Sequence, residues 1–157
     1  MTHKIYIPLI ICFIGSMGSA QITNIDSVAT SKVQHFNFDQ MKSDTIGVGI
    51  TRKWFHGEKG QMTIFNLEKA AHIPWHKHPN EQITYIISGK VKIKTIMDGK
   101  EEFVIVSGGE VIVFPENVPH EFWAMEPTVD LDVHVPVRQD WLSNDLPEYL
   151  KDTNKKQ

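Results

Sequence analysis

Cysteine is nearly absent: the 157-residue chain has one, Cys12. No internal disulfide can form, so the fold must hold by core packing, which a chain of this length can supply. Long apolar runs are scarce too. The run from Ile5 to Ile14 covers about ten residues, roughly half of what a membrane-spanning helix needs. Positive charge is not in excess, because 16 Lys and Arg stand against 19 Asp and Glu for a formal net charge of -3. The basic residues are scattered, with a local surplus only at Lys151, Lys155 and Lys156. No stripe exists to track a phosphate backbone, and nucleic acid is not an expected partner. With 41% apolar and 22% charged residues, what remains is an ordinary globular composition, and the length fits one domain.

The chain falls into four stretches. Residues 1–20 read as a signal peptide, with Lys4 as a short basic start, Ile5 to Ile14 as the apolar run and Ser16 to Ala20 as a small-residue exit. This predicts an exported protein, periplasmic or secreted, with no membrane attachment after cleavage behind Ala20. An uncleaved anchor, or a lipoprotein processed at Cys12, are the competing readings. Residues 21–44 are polar and lack clear periodicity, as a linker or one edge strand would be. Residues 45–150 read as the folded domain, and 151–157 as a flexible tail.

Within the domain, short runs rich in Val, Ile, Thr and aromatics recur at strand-like intervals, predicting strands at 61–67, 72–78, 82–87, 91–97, 101–106, 110–114, 120–125 and 129–135. Asp98-Gly99 is a two-residue hairpin signal that pairs 91–97 with 101–106 antiparallel. Ser88-Gly89 and Ser107-Gly108-Gly109 mark further turns. Successive short strands without a helix of normal length give an all-β fold, a sandwich or antiparallel β-barrel. One short helix is expected over Trp141 to Leu150, packing Trp141, Leu146 and Leu150 on the barrel.

His76 and His78 are two residues apart, so on a strand both imidazoles leave the same face, and Gln82 keeps that parity. His120 enters another strand after the turn bracketed by Pro115 and Pro119. Imidazole suits divalent transition metals. Ordinary surface or core histidines are the alternative reading, and Glu81 competes with Gln82 as a third ligand because a carboxylate binds such ions more strongly.

His76-Lys77-His78, Gln82 and Gly89, followed by Gly109, Pro115 and His120, resemble the two metal motifs of the cupin superfamily, over about Gly60 to Trp141. Asn117 stands where a glycine is usual and Ala124 where an asparagine is common. The resemblance implies a cupin β-barrel, a double-stranded β-helix or jelly roll. It also implies one divalent transition metal (zinc, nickel, iron or manganese) held by His76, His78, Gln82 and His120. Neutral ligands leave the ion's charge uncompensated, which favours Lewis-acid over redox chemistry.

Leu131 to Val137 alternates, with Asp132 and His134 on one face, and Arg138 follows with matching parity. If that face is inward, Asp132 can move a proton and Arg138 can grip a carboxylate bidentately. If it is outward they are solvent residues, and a buried ion pair is a third account. Phe122 shares the parity of His120 and would form pocket wall beside His134. His35, His56, His72, Trp75 and Trp123 are read as structural. The stretch Asp132 to Trp141 resembles the ending of small single-domain cupins, including those that open the ring of unsaturated uronates, in which an aspartate and an arginine six residues later assist catalysis. That group has an aromatic residue at the place of His134. The resemblance implies a non-redox, lyase- or isomerase-like enzyme for a small, anionic, oxygen-rich molecule. A metal-dependent cupin dioxygenase and a non-catalytic metal- or sugar-binding barrel are the alternatives. Single cupin barrels often pair, so a homodimer is expected, with the segment around Phe36 and Phe38 over a partner's sheet edge.

Overall fold

The computed structural model describes residues 32–143 and 146–151. The chain divides into two compact units, Met1–His35 and Phe36–Gln157. In the first, residues 32–35 form no helix or strand and are exposed. The leader expected over 1–20, the first part of the linker and tail residues 152–157 lie outside the described residues.

Every described element belongs to the second unit. Ten strands follow one another: β1 (Asp44–Gly47), β2 (Ile50–His56), β3 (Gln61–Leu67), β4 (His72–His76), β5 (Glu81–Ser88), β6 (Lys90–Met97), β7 (Lys100–Ser107), β8 (Val111–Phe114), β9 (His120–Ala124) and β10 (Thr128–Val135). One helix, α1 (Glu148–Lys151), and two single 3-10 turns at Phe38–Gln40 and Gln139–Trp141 complete the set. No described helix is long and apolar enough to cross a membrane. The strands form a six-stranded sheet in the order β1-β2-β3-β10-β5-β8 and a four-stranded sheet in the order β4-β9-β6-β7. All pairings are antiparallel. The expected all-β antiparallel architecture with a short C-terminal helix is what the structure has. Side chains from β3, β5 and β10 line the same cavity as side chains from β4 and β9, so the two sheets face each other.

Strand alternation sorts the inner face. On β6, Val91, Ile93 and Thr95 are buried while Lys92 is exposed; on β5, Gln82, Thr84 and Ile86 are buried while Tyr85 is exposed. Ile86, Val91 and Ile93 are wholly buried, each contributing about 1.5–3 kcal/mol by leaving water. On β10 the inner face is entirely polar: Thr128, Asp130, Asp132 and His134 are buried, and Val129, Leu131 and Val133 point the other way. Of the two faces open to Asp132 and His134, the inward one is occupied.

The turns follow their residues. Asp98 (φ 49°) and Gly99 (φ 76°) both take the left-handed conformation that a two-residue hairpin between β6 and β7 requires. Gly89 (φ 88°) has a second constraint, since a Cβ there would lie 2.4 Å from the Pro127 carbonyl oxygen. Asn117 stands where a glycine was expected and also has positive φ, 62°. Asparagine is among the few other residues that tolerate this region. Its backbone N–H donates to the His78 carbonyl (2.9 Å), which ties the loop before β9 to the loop after β4.

Two differences from the sequence reading concern the ends. β1 and β2 were not singled out as strands. The single helix expected over Trp141 to Leu150 is instead the 3-10 turn at Gln139–Trp141 and α1, with Pro147 just ahead of α1. Proline disfavours helical backbone in the residue before it, which separates the two. Trp141 and Leu150 are nonetheless buried in the core, with Leu146 packed against it.

Candidate metal site

His76 ends β4 and lies directly across from His120, the first residue of β9. His78 follows two residues past the strand end. The ligand nitrogens of His76, His78 and His120 all lie within 4.8 Å of one another, so one ion can reach all three. The tautomers of two are set by their neighbours. His76 Nδ1 is 2.8 Å from the Pro74 carbonyl and His120 Nδ1 is 3.0 Å from that of Val118. A carbonyl can only accept, so both Nδ1 atoms carry the proton and both Nε2 lone pairs are available. Among the described residues His120 Nε2, which is buried, has no hydrogen-bond partner, an orphan whose natural counterpart is a cation.

Gln82 brings an amide oxygen to the same cluster. It is buried, whereas Glu81 is exposed, so of the two it is the amide that faces inward. Its Oε1 lies 3.0 Å from His78 Nε2 and 3.1 Å from His134 Nε2. Both are ordinary hydrogen-bond distances, with the imidazoles donating to the amide oxygen. Its Nε2 donates to Thr84 Oγ1 (2.9 Å) and to Asp132 Oδ2 (3.0 Å), and Thr84 Oγ1 donates to the other Asp132 oxygen. These two bonds fix which way the amide points and aim its oxygen at the histidines.

Burial governs the charges. It holds His76 down to about 3, His78 to about 4 and His120 to about 2, with the Arg138 charge or the neighbouring histidines adding to the effect. Neutral imidazole is the form that binds metal. Burial also pushes Asp132 up to about 6, opposed by hydrogen bonds from Thr84 and Asp130. Asp130, beside it on the same inward face, is raised well above the usual carboxylate range by burial and by the Asp132 charge. The pair therefore gives up its protons at higher pH than ordinary carboxyls do.

The remaining residues singled out in the sequence line the same cavity. Its accessible space is about 20 Å³, room for an ion or a single water. Phe122, His134, Asp132 and Arg138 are all on its wall. Arg138 is only 2% exposed, and its fork is engaged within the chain: Nε and Nη2 bond the two oxygens of Asp140 at 3.1 and 2.6 Å. The histidines and tryptophans read as structural are so placed. His35 and His56 are exposed, while His72 bonds Glu121 (2.6 Å) and stacks on Trp123. Trp75 lies under the Lys94 ammonium.

Sequence reasoning missed two residues here. Tyr149 on α1 stacks on His76, and nothing in its spacing signalled that. Asp130 has the same parity as Asp132, and extending the alternation by one step would have found it.

Residues 63–135 match the family model described as "Cupin domain". A comparison with curated proteins gives no match. Among solved structures, the chain is similar to an RmlC-like cupin from Shewanella frigidimarina, with 22% identity, a TM-score of 0.61, and 69% of this chain and 96% of that one covered. It is likewise similar to KdgF from Halomonas sp., at 23% identity and TM-score 0.62, covering 70% and 99%. A third match is the oxalate decarboxylase of Bacillus subtilis, in a structure concerned with its Mn(II) centers, at 20% identity and TM-score 0.59, covering 79% of this chain and 37% of the longer one. At such identities the structural likeness is one of fold. The family match and the motif residues coincide over the same strands, and the chain carries a cupin domain.

Proposed function

We propose that this is a metal-dependent enzyme for a small anionic substrate, opening the ring of an unsaturated uronate sugar without net oxidation. The observation that carries this reading is the double engagement of Gln82. Its oxygen meets two imidazoles while its nitrogen bonds Asp132, so a carboxyl raised toward neutrality is held at a fixed place beside the histidine cluster.

His76, His78, His120 and Gln82 would hold the divalent ion, with zinc, nickel, iron and manganese all compatible with the donor set. When bound, the ion supplies Lewis acidity toward a substrate oxygen. Asp132, raised toward neutrality by burial, takes the proton of the hemiacetal hydroxyl as the ring C–O bond at that carbon breaks and a carbonyl forms there, and delivers a proton to the enol carbon so that the released enol becomes the ketone. Arg138 contributes positive charge at the wall, positioned by Asp140. Phe122 excludes water from the apolar side. The conversion of a cyclic enol ether to its open keto form needs proton movement and charge stabilisation, and no electron transfer.

Loading the protein with each metal and following the ultraviolet absorbance of an unsaturated uronate tests the reading. Chelator-sensitive loss of the conjugated band is expected. Metal binding with no turnover, or oxygen consumption with the iron-loaded protein, would count against it.

Export behind residues 1–20 belongs to the same reading, since such a substrate would then be met outside the cytoplasm.

A further inference from the structure

The cavity at the histidine cluster is closed to anything larger than an ion or a water. Its accessible space is about 20 Å³, against about 300–1,000 Å³ for sites that take small organic molecules. A larger molecule reaches the cluster only if part of the wall moves.

Strand pairing decides which part that is. Apart from Arg138, Trp141, Tyr149 and Leu150, every described residue of the wall lies on β1, β3, β4, β5, β9 or β10. β3, β5, β9 and β10 are hydrogen-bonded to a neighbour on both sides, and β1 and β4 on one. Parting them would break rows of backbone hydrogen bonds and leave buried groups unsatisfied. The four remaining wall residues follow the last strand and belong to no sheet. Trp141 is fixed all the same, edge-on against Trp54 of β2 and Phe65 of β3 with ring centres 5.9 and 6.0 Å away. α1 is held differently. It is a single turn of four residues, too short to be stable through its own backbone bonds, and it packs against β4. Tyr149 covers the His76 ring, and Leu150 next to it is buried in the core.

We propose that α1 is a lid on the histidine cluster: Tyr149 rests on His76 while the cavity is closed, and α1 leaves β4 to admit a ligand. A short segment held by side-chain packing opens locally far more readily than a paired sheet. Its return over a bound molecule would shut water out of the site. The inference rests on the size of the cavity and the pairing of its walls, and it holds for any ligand larger than water, with or without the function proposed above.

The test uses metal-free, full-length protein and needs no turnover. Diethyl pyrocarbonate, which acylates neutral imidazole and is far larger than the cavity, is reacted with the protein, and the labelling of each histidine is timed by peptide mass spectrometry. Deuterium exchange of the β10 amides is followed in parallel as the gauge of global unfolding. Exposed His56 is the reference, and buried His120 should label at least a hundredfold more slowly. Tyr149→Ala should speed His120 tenfold or more, beyond any rise in β10 exchange, whereas Tyr149→Phe, which keeps the stack, should stay within threefold of wild type. His120 labelling as fast as His56 in the wild type would mean the cavity is open as it stands and would overturn the proposal. An unchanged His120 rate in folded Tyr149→Ala protein would do the same, as would a rise matched by β10 exchange. If Tyr149→Ala fails to fold, the wild type in low urea decides: local opening exposes little surface, so His120 labelling should barely change with urea, and a steep rise in step with β10 exchange would sink the lid.

Discussion

The Tyr149 ring lies parallel to the His76 imidazole, with centroids 3.9 Å apart and planes 10° from one another. The only described residue to stack on a candidate ligand in this way therefore comes from α1, some seventy residues later in the chain. The Arg138 guanidinium carbon also stands 5.8 Å from the Tyr149 ring centre, so one side chain lies against both the histidine cluster and the guanidinium. Tyr149→Ala should cost about 2 kcal/mol in thermal or denaturant unfolding, below the usual loss for a core aromatic because the ring is not wholly enclosed. Tyr149→Phe keeps the stack and should unfold within about 1 kcal/mol of wild type. Equal loss in both variants would mean the hydroxyl, and not the stack, holds α1.

Gln82 is where metal affinity and proton chemistry meet. Gln82→Glu puts a carboxylate against Asp132 Oδ2, which Gln82 Nε2 now donates to at 3.0 Å. Two carboxyls at that distance cannot both ionise, so the pair should retain a proton to higher pH, moving the activity profile up by about one unit or more. The anionic ligand should also bind metal more tightly. His120→Ala acts differently, since the orphaned Nε2 is simply removed, and bound metal measured by mass spectrometry should fall from stoichiometric to near zero. Retention of full metal in His120→Ala would remove that histidine from the ligand set.

Much of this was legible in the chain because alternation survives where inner residues are apolar or metal-binding. The strands expected from residue 61 to 135 appear with their ends shifted by two residues or fewer, and the Asp98-Gly99 turn pairs β6 with β7 as expected. β2 was missed for a physical reason: Arg52 occupies an inward position, with its charge beside the indole of Trp141, which comes from far along the chain. β10 carries the same lesson in reverse. Its buried face is Thr128, Asp130, Asp132 and His134, so polarity alone points the wrong way, and only the register against β3 and β5 decides. The histidine pair was readable from its spacing, although β4 ends at His76 and His78 converges from the following loop.

Metal-free protein should lose stability on acidification. His76, His78, His120 and His134 have native pKa values lowered to about 3, 4, 2 and 2, against about 6.5 in the unfolded chain. Between pH 6.5 and about 4 the unfolded chain binds protons that the folded one refuses, so stability falls as pH drops through this window. Asp130 and Asp132 are shifted upward and act in the opposite sense, favouring the fold as pH falls below their native values. Four histidines outweigh two carboxyls, and the melting temperature should be lower at pH 5 than at pH 7. A higher value at pH 5 would mean the carboxyl pair dominates.

We propose a homodimer built on the outer face of the six-stranded sheet. Phe36 and Phe38 lie against Phe55 of the same chain, which leaves other apolar surface to serve a partner. Tyr85, Val111, Val113 and Val135 are 37–57% exposed beside edge strand β8, a patch of the kind that association covers. Val113→Lys should shift the mass measured by light scattering from dimer to monomer without lowering the melting temperature of the monomer. A monomeric wild type would end this proposal.

Arg138 separates a residue that touches substrate from one that only braces the wall. Lysine keeps the charge but cannot reproduce two parallel bonds to Asp140 together with the contact to Tyr149. Arg138→Lys should therefore cost about 1–2 kcal/mol in stability, the modest size reflecting the partly exposed Asp140. Bound metal should be unchanged, and if the guanidinium stabilises the reacting anion, kcat/KM should drop on the order of a hundredfold. Asp140→Asn provides the control, because it loosens the fork while leaving the arginine and its charge in place. A smaller kinetic loss in Asp140→Asn than in Arg138→Lys would assign the effect to the arginine's own contact with substrate. Equal losses, with KM unchanged and stability reduced in step, would make Arg138 a positioning residue whose work is to hold Tyr149 and the wall beneath it.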